Sequence, residues 1–464
     1  GTELVFCASA YDSAGDTSLY YPEFDSPSTA HGIATSHDAE QAYHFSGSVR
    51  HGDLTLSGAF SLREKEVPTA SFGTAFDARR EETRDQRSYL DLKYDAEVGS
   101  VTRLLARVFV DQYLYEGVYP YQPPQPSAPL ILNKDEAEGD WVGTEAQVTQ
   151  TLFDVHTVIA GIEYRENLRQ YQANFDEGTS RGYLIDDQQS RLFGAYLHSE
   201  IQLGPRVQAS AGVRYDHDTT FGDTVNPRAA LVYHPADTTS LKALYGEAFR
   251  APNQFEMYYA AADGFRPTGR LQPESIRTLE LVWEQGLART HRTTLAGYYY
   301  EIDDLISQTA TPDGSRKYFD NLEQVRAVGL EASWHAHLPK GVTTRVSYAV
   351  QRAHDEDQDR DLTHSPRHLV RFALQVPILG EHLGAGFELR HQSESLTLDG
   401  ATADGFCTGS LTLLSRELRP GLDLSASVYN LWDTRYSLPA SADHRQDTLE
   451  QPGRTFRVKL TYRF

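Results

Sequence analysis

The chain has 464 residues, of which 39% are hydrophobic, 11% aromatic and 23% charged, and its formal net charge is -22. No run reaches the roughly 18 consecutive apolar residues of a membrane helix: even the apolar stretch from Val158 ends at Glu163, and 65 acidic against 43 basic residues leave no basic stripe for a nucleic-acid partner. Helical membrane proteins and nucleic-acid binders are therefore excluded, while the mean hydropathy of -0.51 leaves a β-barrel open, because the lumen face of a barrel is polar.

In chain order, a first strand is predicted over 2–11, directly after Gly1. Downstream, apolar and polar residues alternate in segments of about ten residues, the length a tilted strand needs to cross a bilayer. Leu104, Ala106, Val108 and Val110 oppose Arg103, Arg107 and Asp111. Over 206–216, Val207, Ala209, Ala211, Val213 and Tyr215 oppose Arg206, Gln208, Ser210, Gly212, Arg214 and Asp216. The same split returns in Val370, Phe372, Leu374 and Val376 against Arg371 and Gln375, and in Leu422, Leu424, Ala426 and Val428 against Asp423, Ser425 and Ser427.

A soluble sandwich also alternates, so connection lengths decide the architecture. Short turns are predicted at 51–53, 203–205, 234–238, 286–290, 338–341 and 416–420. Long polar connections are predicted at about 13–39, 64–85, 114–138, 171–188, 250–274, 305–321 and 432–452. Strict alternation of short and long fits tight periplasmic turns on one rim and large extracellular loops on the other. The expected fold is all-β, a transmembrane antiparallel up-and-down β-barrel with about 20 strands present, in a Gram-negative outer membrane; the family resemblance drawn below implies 22 in all. Both termini, including the C-terminus, are expected to be periplasmic.

One predicted loop is rich in proline and tyrosine (Tyr119, Pro120, Tyr121, Pro123, Pro124, Pro126, Pro129), and charge runs occur at 135–140 and 354–361. Their spacing matches no calcium loop, so both runs are read as solvated loops. Cys7 and Cys407 have no metal-ligand spacing and are expected to be small packing residues. The chain carries no initiator Met and no signal peptide, so it reads as a mature product, a trimmed one or a fragment. No HExxH, GxSxG or Walker pattern occurs, and neither an enzyme nor a cofactor or metal is expected.

The last strand is the clearest. Phe456, Val458, Leu460, Tyr462 and Phe464 alternate with Arg457, Lys459, Thr461 and Arg463 up to the final residue. Chain ends ordinarily fray and have no reason to be patterned, whereas lipid on one face and a wet lumen on the other supply one.

Three further segments carry a family resemblance. Residues 245–259 read YGEAFRAPNQFEMYY, 271–283 read LQPESIRTLELVW, and 429–436 read YNLWDTRY, followed by QPGRTF at 451–456. With HSPRHL at 364–369 and the terminal Phe464, these resemble the barrel of the TonB-dependent outer-membrane receptors. The matching positions are Phe249, Arg250, Ala251, Pro252, Pro273, Glu274, Asn430, Leu431, Pro452, Gly453, Arg454 and Phe464.

The resemblance implies a receptor for TonB-energised uptake of a scarce nutrient, most often a ferric siderophore. A cobalamin or other metal-complex receptor is the alternative within the family, and a passive porin or surface adhesin the alternative outside it. It also implies an N-terminal plug domain and two initial strands, both missing from this chain, with the TonB complex reached through that plug region. The other partners implied are outer-membrane lipid, lipopolysaccharide and the barrel-assembly machinery, the last through Phe464. Haem receptors of the family carry a His between the FRAP segment and the next box, and none stands between Arg250 and Leu271.

Candidate ligand contacts are Tyr119, Tyr121, Arg250, Tyr258, Tyr259 and Phe265, each weighed against loop packing or an aromatic girdle. Arg250 is expected to pair with lumen carboxylates rather than substrate. Arg103, Arg107, Arg206, Arg214 and Arg371 are expected to face the lumen, paired with acids or lining a path for an anionic complex.

Overall fold

A computed structural model describes residues 1–125, 127–261, 264–288, 290–313, 316–380 and 382–464; Pro126 of the proline-rich stretch lies outside them. Twenty long strands form one sheet. They are β1 (Thr2–Ser13), β2 (Glu40–His51), β3 (Leu54–Glu66), β4 (Glu82–Val98) and β5 (Thr102–Tyr121). Next come β6 (Ile131–Leu152), β7 (His156–Asp176), β8 (Gly182–Gly204), β9 (Val207–Asp218) and β10 (Gly222–Ala236). These are followed by β11 (Thr239–Arg250), β12 (Glu274–Leu287), β13 (His291–Ala310), β14 (Lys317–His337) and β15 (Thr343–Asp355). The last are β16 (His368–Leu379), β17 (Leu383–Gln392), β18 (Phe406–Arg419), β19 (Leu422–Tyr429) and β20 (Thr455–Tyr462).

Each strand pairs antiparallel with the next, from Thr2↔His51 between β1 and β2 to Leu422↔Tyr462 between β19 and β20. The expected strand number and up-and-down order are therefore present. Among the described residues β1 pairs with β2 alone and β20 with β19 alone, so the sheet has two free edges. Their side chains are open on both faces: Leu4 is 72% exposed and Phe456 75%. The sheet nonetheless wraps back on itself. Phe72 N donates to Asp443 O at 2.6 Å and Gln446 Nε2 to Thr69 O at 2.9 Å, so the loop before β20 is bonded to the loop after β3.

The alternation is borne out as a two-sided wall. On β9, Val213 and Tyr215 point outward and are exposed, whereas Asp216 between strands is buried. Leu197, Leu231, Leu281 and Val328 continue the outer apolar band around the sheet. No helix among the described residues is long and apolar enough to cross a membrane, and the strands carry the apolar surface instead.

All the predicted short turns lie on one rim and all the predicted long connections on the other, but the long ones are shorter than expected at three places. The 114–138, 171–188 and 305–321 connections shrink to 122–130, 177–181 and 311–316, because β5 through β8, β13 and β14 run on as 20- to 23-residue strands. Above the apolar band both faces are wet, so alternation ends while the backbone ladder continues, as in Tyr115↔Ala137 and Gly117↔Asp135. The acidic run at 135–140 is accordingly part of β6 rather than a loop, and His354 and Asp355 close β15, where Arg360 and Asp361 pair back on them. The β9–β10 connection, 219–221, breaks the strict long-short rule with a tight turn on the long-loop rim. Cys7 is exposed on a strand with no neighbour on its other side, not packed, and Cys407 is half-buried; both are free thiols.

A charge at the centre of the outer band is costly in lipid. Leu281→Arg is expected to destabilise the protein by about 2–4 kcal/mol in chemical unfolding from lipid vesicles. Glu280→Gln, on the inner face of the same strand, is expected to cost under about 1 kcal/mol.

Candidate functional site

The FRAP segment ends β11 and starts the 251–273 loop. Pro252, which cannot donate to a ladder, is buried where the strand stops. Asn253 then caps a one-turn helix, α1 (Gln254–Tyr258): Glu256 N donates to Asn253 Oδ1 and Asn253 N to Glu256 Oε2, both at 2.9 Å. Arg250 clasps Glu274 with both arms of its guanidinium, Nε and Nη2 each 2.6 Å from an oxygen, and reaches Glu256 at 2.9 Å. Glu274 also accepts from Ile306 N at 2.8 Å. Arg250 and Glu274, the best-matched motif positions, thus tie both ends of this loop to β13, as the carboxylate-pairing expectation had it.

Met257 and Leu271 pack with Ile306 in a small core beneath the loop, and Tyr258 and Phe319 lie against it. From there the loop reaches past β8, β9 and β10 to β6 and β7. Tyr259 Oη donates to Asp135 at 2.7 Å, Asn174 Nδ2 donates to Asp135 at 2.6 Å, and Gln172 Nε2 donates to Gln254 O at 2.8 Å. Phe265 is buried in a ring cluster, 6.0 Å from Phe255, 5.7 Å from Tyr259 and 5.6 Å from Phe319. Phe255 lies tilted against Tyr259, 4.3 Å between ring centroids, and keeps 43% of its surface open, so one ring of the cluster faces water.

Tyr119 and Tyr121 belong to the upper end of β5 and not to a loop. Tyr119 is buried, its hydroxyl 2.5 Å from that of Tyr115 and its ring edge-on to Phe72 at 5.4 Å. Tyr121 Oη donates to Phe72 O at 3.4 Å. The structure therefore brings Arg250, Tyr258, Tyr259 and Phe265 into one cluster and packs Tyr119 and Tyr121 under the 67–81 loop. Phe255, Phe319 and Asp135 are site members that sequence reasoning passed over as candidates. Phe255 stood in the quoted motif, and Asp135 was hidden by its acidic run.

The remaining motif positions close the last loop. Asn430, at φ 48°, accepts from Thr434 N and donates to Thr434 O, both at 2.9 Å. Arg454 N donates to Asp433 at 2.8 Å, and a side chain on Gly453 would meet that carboxylate. Leu431 N donates to Gly409 O at 2.7 Å. Pro452 accepts from Asn430 Nδ2 at 3.5 Å, and Pro273 precedes the Glu274 clasp.

Of the inner-wall arginines, Arg103 is paired with Asp95, Arg107 with Asp91, and Arg214 with Asp216 and Glu163. Arg206 instead donates to Pro235 O at 2.9 Å beside the short-turn rim, and Arg371 faces an inner groove whose lining includes Glu388.

One buried acid holds the 67–81 loop. Glu81 is 1% exposed and accepts from Ser71 Oγ and Thr74 Oγ1, both at 2.6 Å, while its carbonyl lies 3.2 Å from His37 Nε2 of the 14–39 loop. Burial pushes its carboxyl up to about 7, outweighing the two hydroxyl bonds.

Two outcomes follow from these contacts. A double-mutant cycle on Arg250→Ala and Glu274→Ala should return a coupling of about 1–2 kcal/mol in chemical unfolding, the range for a charge-assisted pair. For Glu81 the packed pKa lies above the unfolded one, so its support is full below the ordinary carboxylate pKa and is lost as pH rises through about 7. Limited proteolysis within 67–81 should then be faster at pH 8 than at pH 6, and Glu81→Gln should flatten that difference.

The family model described as TonB dependent receptor-like, beta-barrel, matches residues 20–431. The vitamin B12 transporter BtuB of Vibrio vulnificus is 24% identical over 310 residues, covering 66% of this chain and 47% of that protein. The ferric enterobactin receptor of Pseudomonas aeruginosa is 22% identical over 325 residues, 59% of this chain and 43% of that one. The chain thus spans about half the length of the curated relatives it matches. Among solved structures, the copper transporter OprC superposes with a TM-score of 0.79 at 18% identity, covering 100% of this chain and 76% of that one. These relatives are named as transporters and receptors, not enzymes.

Proposed function

The chain belongs to the TonB-dependent receptor β-barrel family, and from that premise we propose that it is the wall of a receptor for TonB-energised nutrient uptake across the outer membrane. The cargo we propose is a ferric siderophore, ahead of a cobalamin or another metal complex. The observation that carries this reading is the platform on the FRAP loop. Phe255 lies open beside Tyr258, Tyr259 and Phe265, with Arg250 fixed at its base. Aromatic faces of this kind stack on flat ligands. The absence of a His between Arg250 and Leu271 speaks against axial ligation of haem there. A passive porin is disfavoured because porins close with 16 to 18 strands, fewer than the twenty here; an adhesin would have no use for a loop folded inward.

The free edges of β1 and β20 belong to the same reading. Unpaired backbone groups in hydrocarbon cost several kcal/mol each. β1 runs from the short-turn rim and β20 returns to it, so only an even number of added strands keeps every neighbour antiparallel. Two strands from the same protein, preceded by a plug domain that engages the TonB complex, would complete a 22-stranded barrel. In this reading the short-turn rim and Phe464 lie on the periplasmic side, where the assembly machinery reads the terminal aromatic. The outer band then meets lipid and lipopolysaccharide.

Growth of a deletion strain on single ferric siderophores, cobalamin and copper tests the proposal. We expect loss of growth on one ferric siderophore, rescued by the wild-type gene, with Phe255→Ala raising the concentration needed by about tenfold. Undiminished growth on every source would contradict it.

A further inference from the structure

Three loops on one side of the long-loop rim are gripped by a single turn. The 67–81 loop folds inward onto β5: Phe72 meets the Tyr119 ring edge-on, Tyr121 Oη donates to Phe72 O, and Ala75 N donates to Pro120 O at 2.7 Å. From the 14–39 loop, Phe24 stacks on Phe76 at 4.5 Å, Thr35 N donates to Asp77 Oδ1 at 3.0 Å, and His37 Nε2 lies against the Glu81 carbonyl. The 430–454 loop takes the other side. Phe72 N donates to Asp443 O, Gln446 Nε2 donates to Thr69 O, and Arg445 lies over the Phe24 ring at 5.3 Å.

The 69–74 turn at the centre is strained. Ala70 and Phe72 stand at φ 52° and 57°, the left-handed region that side chains disfavour, and Ser71 between them is buried. A turn of this kind persists only while its surroundings hold it. Glu81 holds it, through Ser71 Oγ and Thr74 Oγ1. On the three loops, five buried polar atoms have no partner among the described residues: Glu23 Oε2, His37 Nδ1, Thr69 Oγ1, His444 Nδ1 and Gln446 Oε1. Each has given up water without a bond in return. These atoms are already closed off, so no further part of the protein can reach them unless the loops move.

No charge offsets the burial of Glu81. His37 turns to its carbonyl, Asp77 to Thr35 N, Lys65 to Asp38 and Glu66 to Ala39 N. Arg80 is taken by Glu177, Tyr119 bonds Tyr115, Asp443 offers its backbone, and Arg79 and Glu82 stand exposed. His444 is half-buried, and burial pushes its pKa below the ordinary value.

We infer that the 69–74 turn is a pH-operated clasp: with Glu81 protonated it locks the 14–39, 67–81 and 430–454 loops into one plate, and loss of that proton lets the plate come apart. The carboxyl sits at about 7 in the closed plate and returns to the ordinary range once the turn opens, so closure takes up a proton. Its support is full below the ordinary carboxylate pKa and is lost as pH rises through about 7. His444 acts oppositely, supporting closure above the ordinary histidine pKa and withdrawing that support as acid forces a proton onto it. Loop opening can be followed on the purified protein without cargo or transport, so the clasp stands or falls apart from the uptake reading.

Double electron–electron resonance in lipid vesicles tests this, with nitroxides at Ser28→Cys and Ala442→Cys on a Cys7→Ser, Cys407→Ser background. Both sites are exposed and sit on loops that do not carry Glu81. One narrow distance is expected at pH 6, and the ratio of open to closed loops should rise about tenfold by pH 8.5. Glu81→Gln, neutral at either pH, should keep the narrow distance throughout. A second pair, Arg181→Cys with Arg270→Cys on loops outside the plate, should not respond, which separates release of the plate from unfolding. A first-pair distance indifferent to pH, a response that survives in Glu81→Gln, or an equal response at the second pair would overturn the assignment.

Discussion

In hydrocarbon a backbone N–H or C=O has no water to turn to, and every other feature of this chain follows from meeting that requirement between strands. The continuous antiparallel ladder from β1 to β20 does so with each strand's partner supplied by its sequence neighbour. Once strands rather than helices cross the membrane, side chains must alternate between lipid and lumen. That is why Val213 faces out while Arg214 turns in to Glu163 and Asp216. Up-and-down pairing then sends alternate connections to opposite rims, so that one rim carries only tight turns and the other carries the long loops together with the tight turn at 219–221.

The same requirement explains what could be read beforehand. Wherever lipid touches the wall, the pattern of residues has period 2, and the strand number, the rim asymmetry and the closing strand were all visible. Above the bilayer both faces are wet, and nothing in residues such as Asn133, Asp135 or Glu136 signals that β6 continues through them; the ladder there is a property of the pairing and not of the residues. Tyr119 looked like a loop residue for the same reason. Arg250 and Glu274 were each legible as motif positions, and Arg250 was expected to meet a carboxylate, but that the two clasp each other is seen only once β11 and β12 pair. The bond from Tyr259 to Asp135 joins residues 124 positions apart, and no local pattern could have announced it.

The loops are less independent than their lengths imply. The 251–273 loop is held by the Arg250 clasp at its base and by Asp135 and Gln172 at its far side. The 67–81 loop is held by Glu81 within and by the last long loop outside. Buried polar groups are costly unless bonded, so these contacts fix the aromatic platform over the lumen instead of leaving it to wander. A binding surface made from loops gains precision when the loops are bonded to rigid strands.

Site-directed spin labelling along β9 tests the two-faced wall most directly. Single nitroxides at each position from 207 to 216, on a Cys7→Ser, Cys407→Ser background in lipid vesicles, would be exposed to oxygen and to a water-soluble nickel complex. Oxygen accessibility should peak at 207, 209, 211, 213 and 215, and nickel accessibility at the positions between. Uniform access by the water-soluble reagent along the whole strand would contradict a wall with lipid on one side.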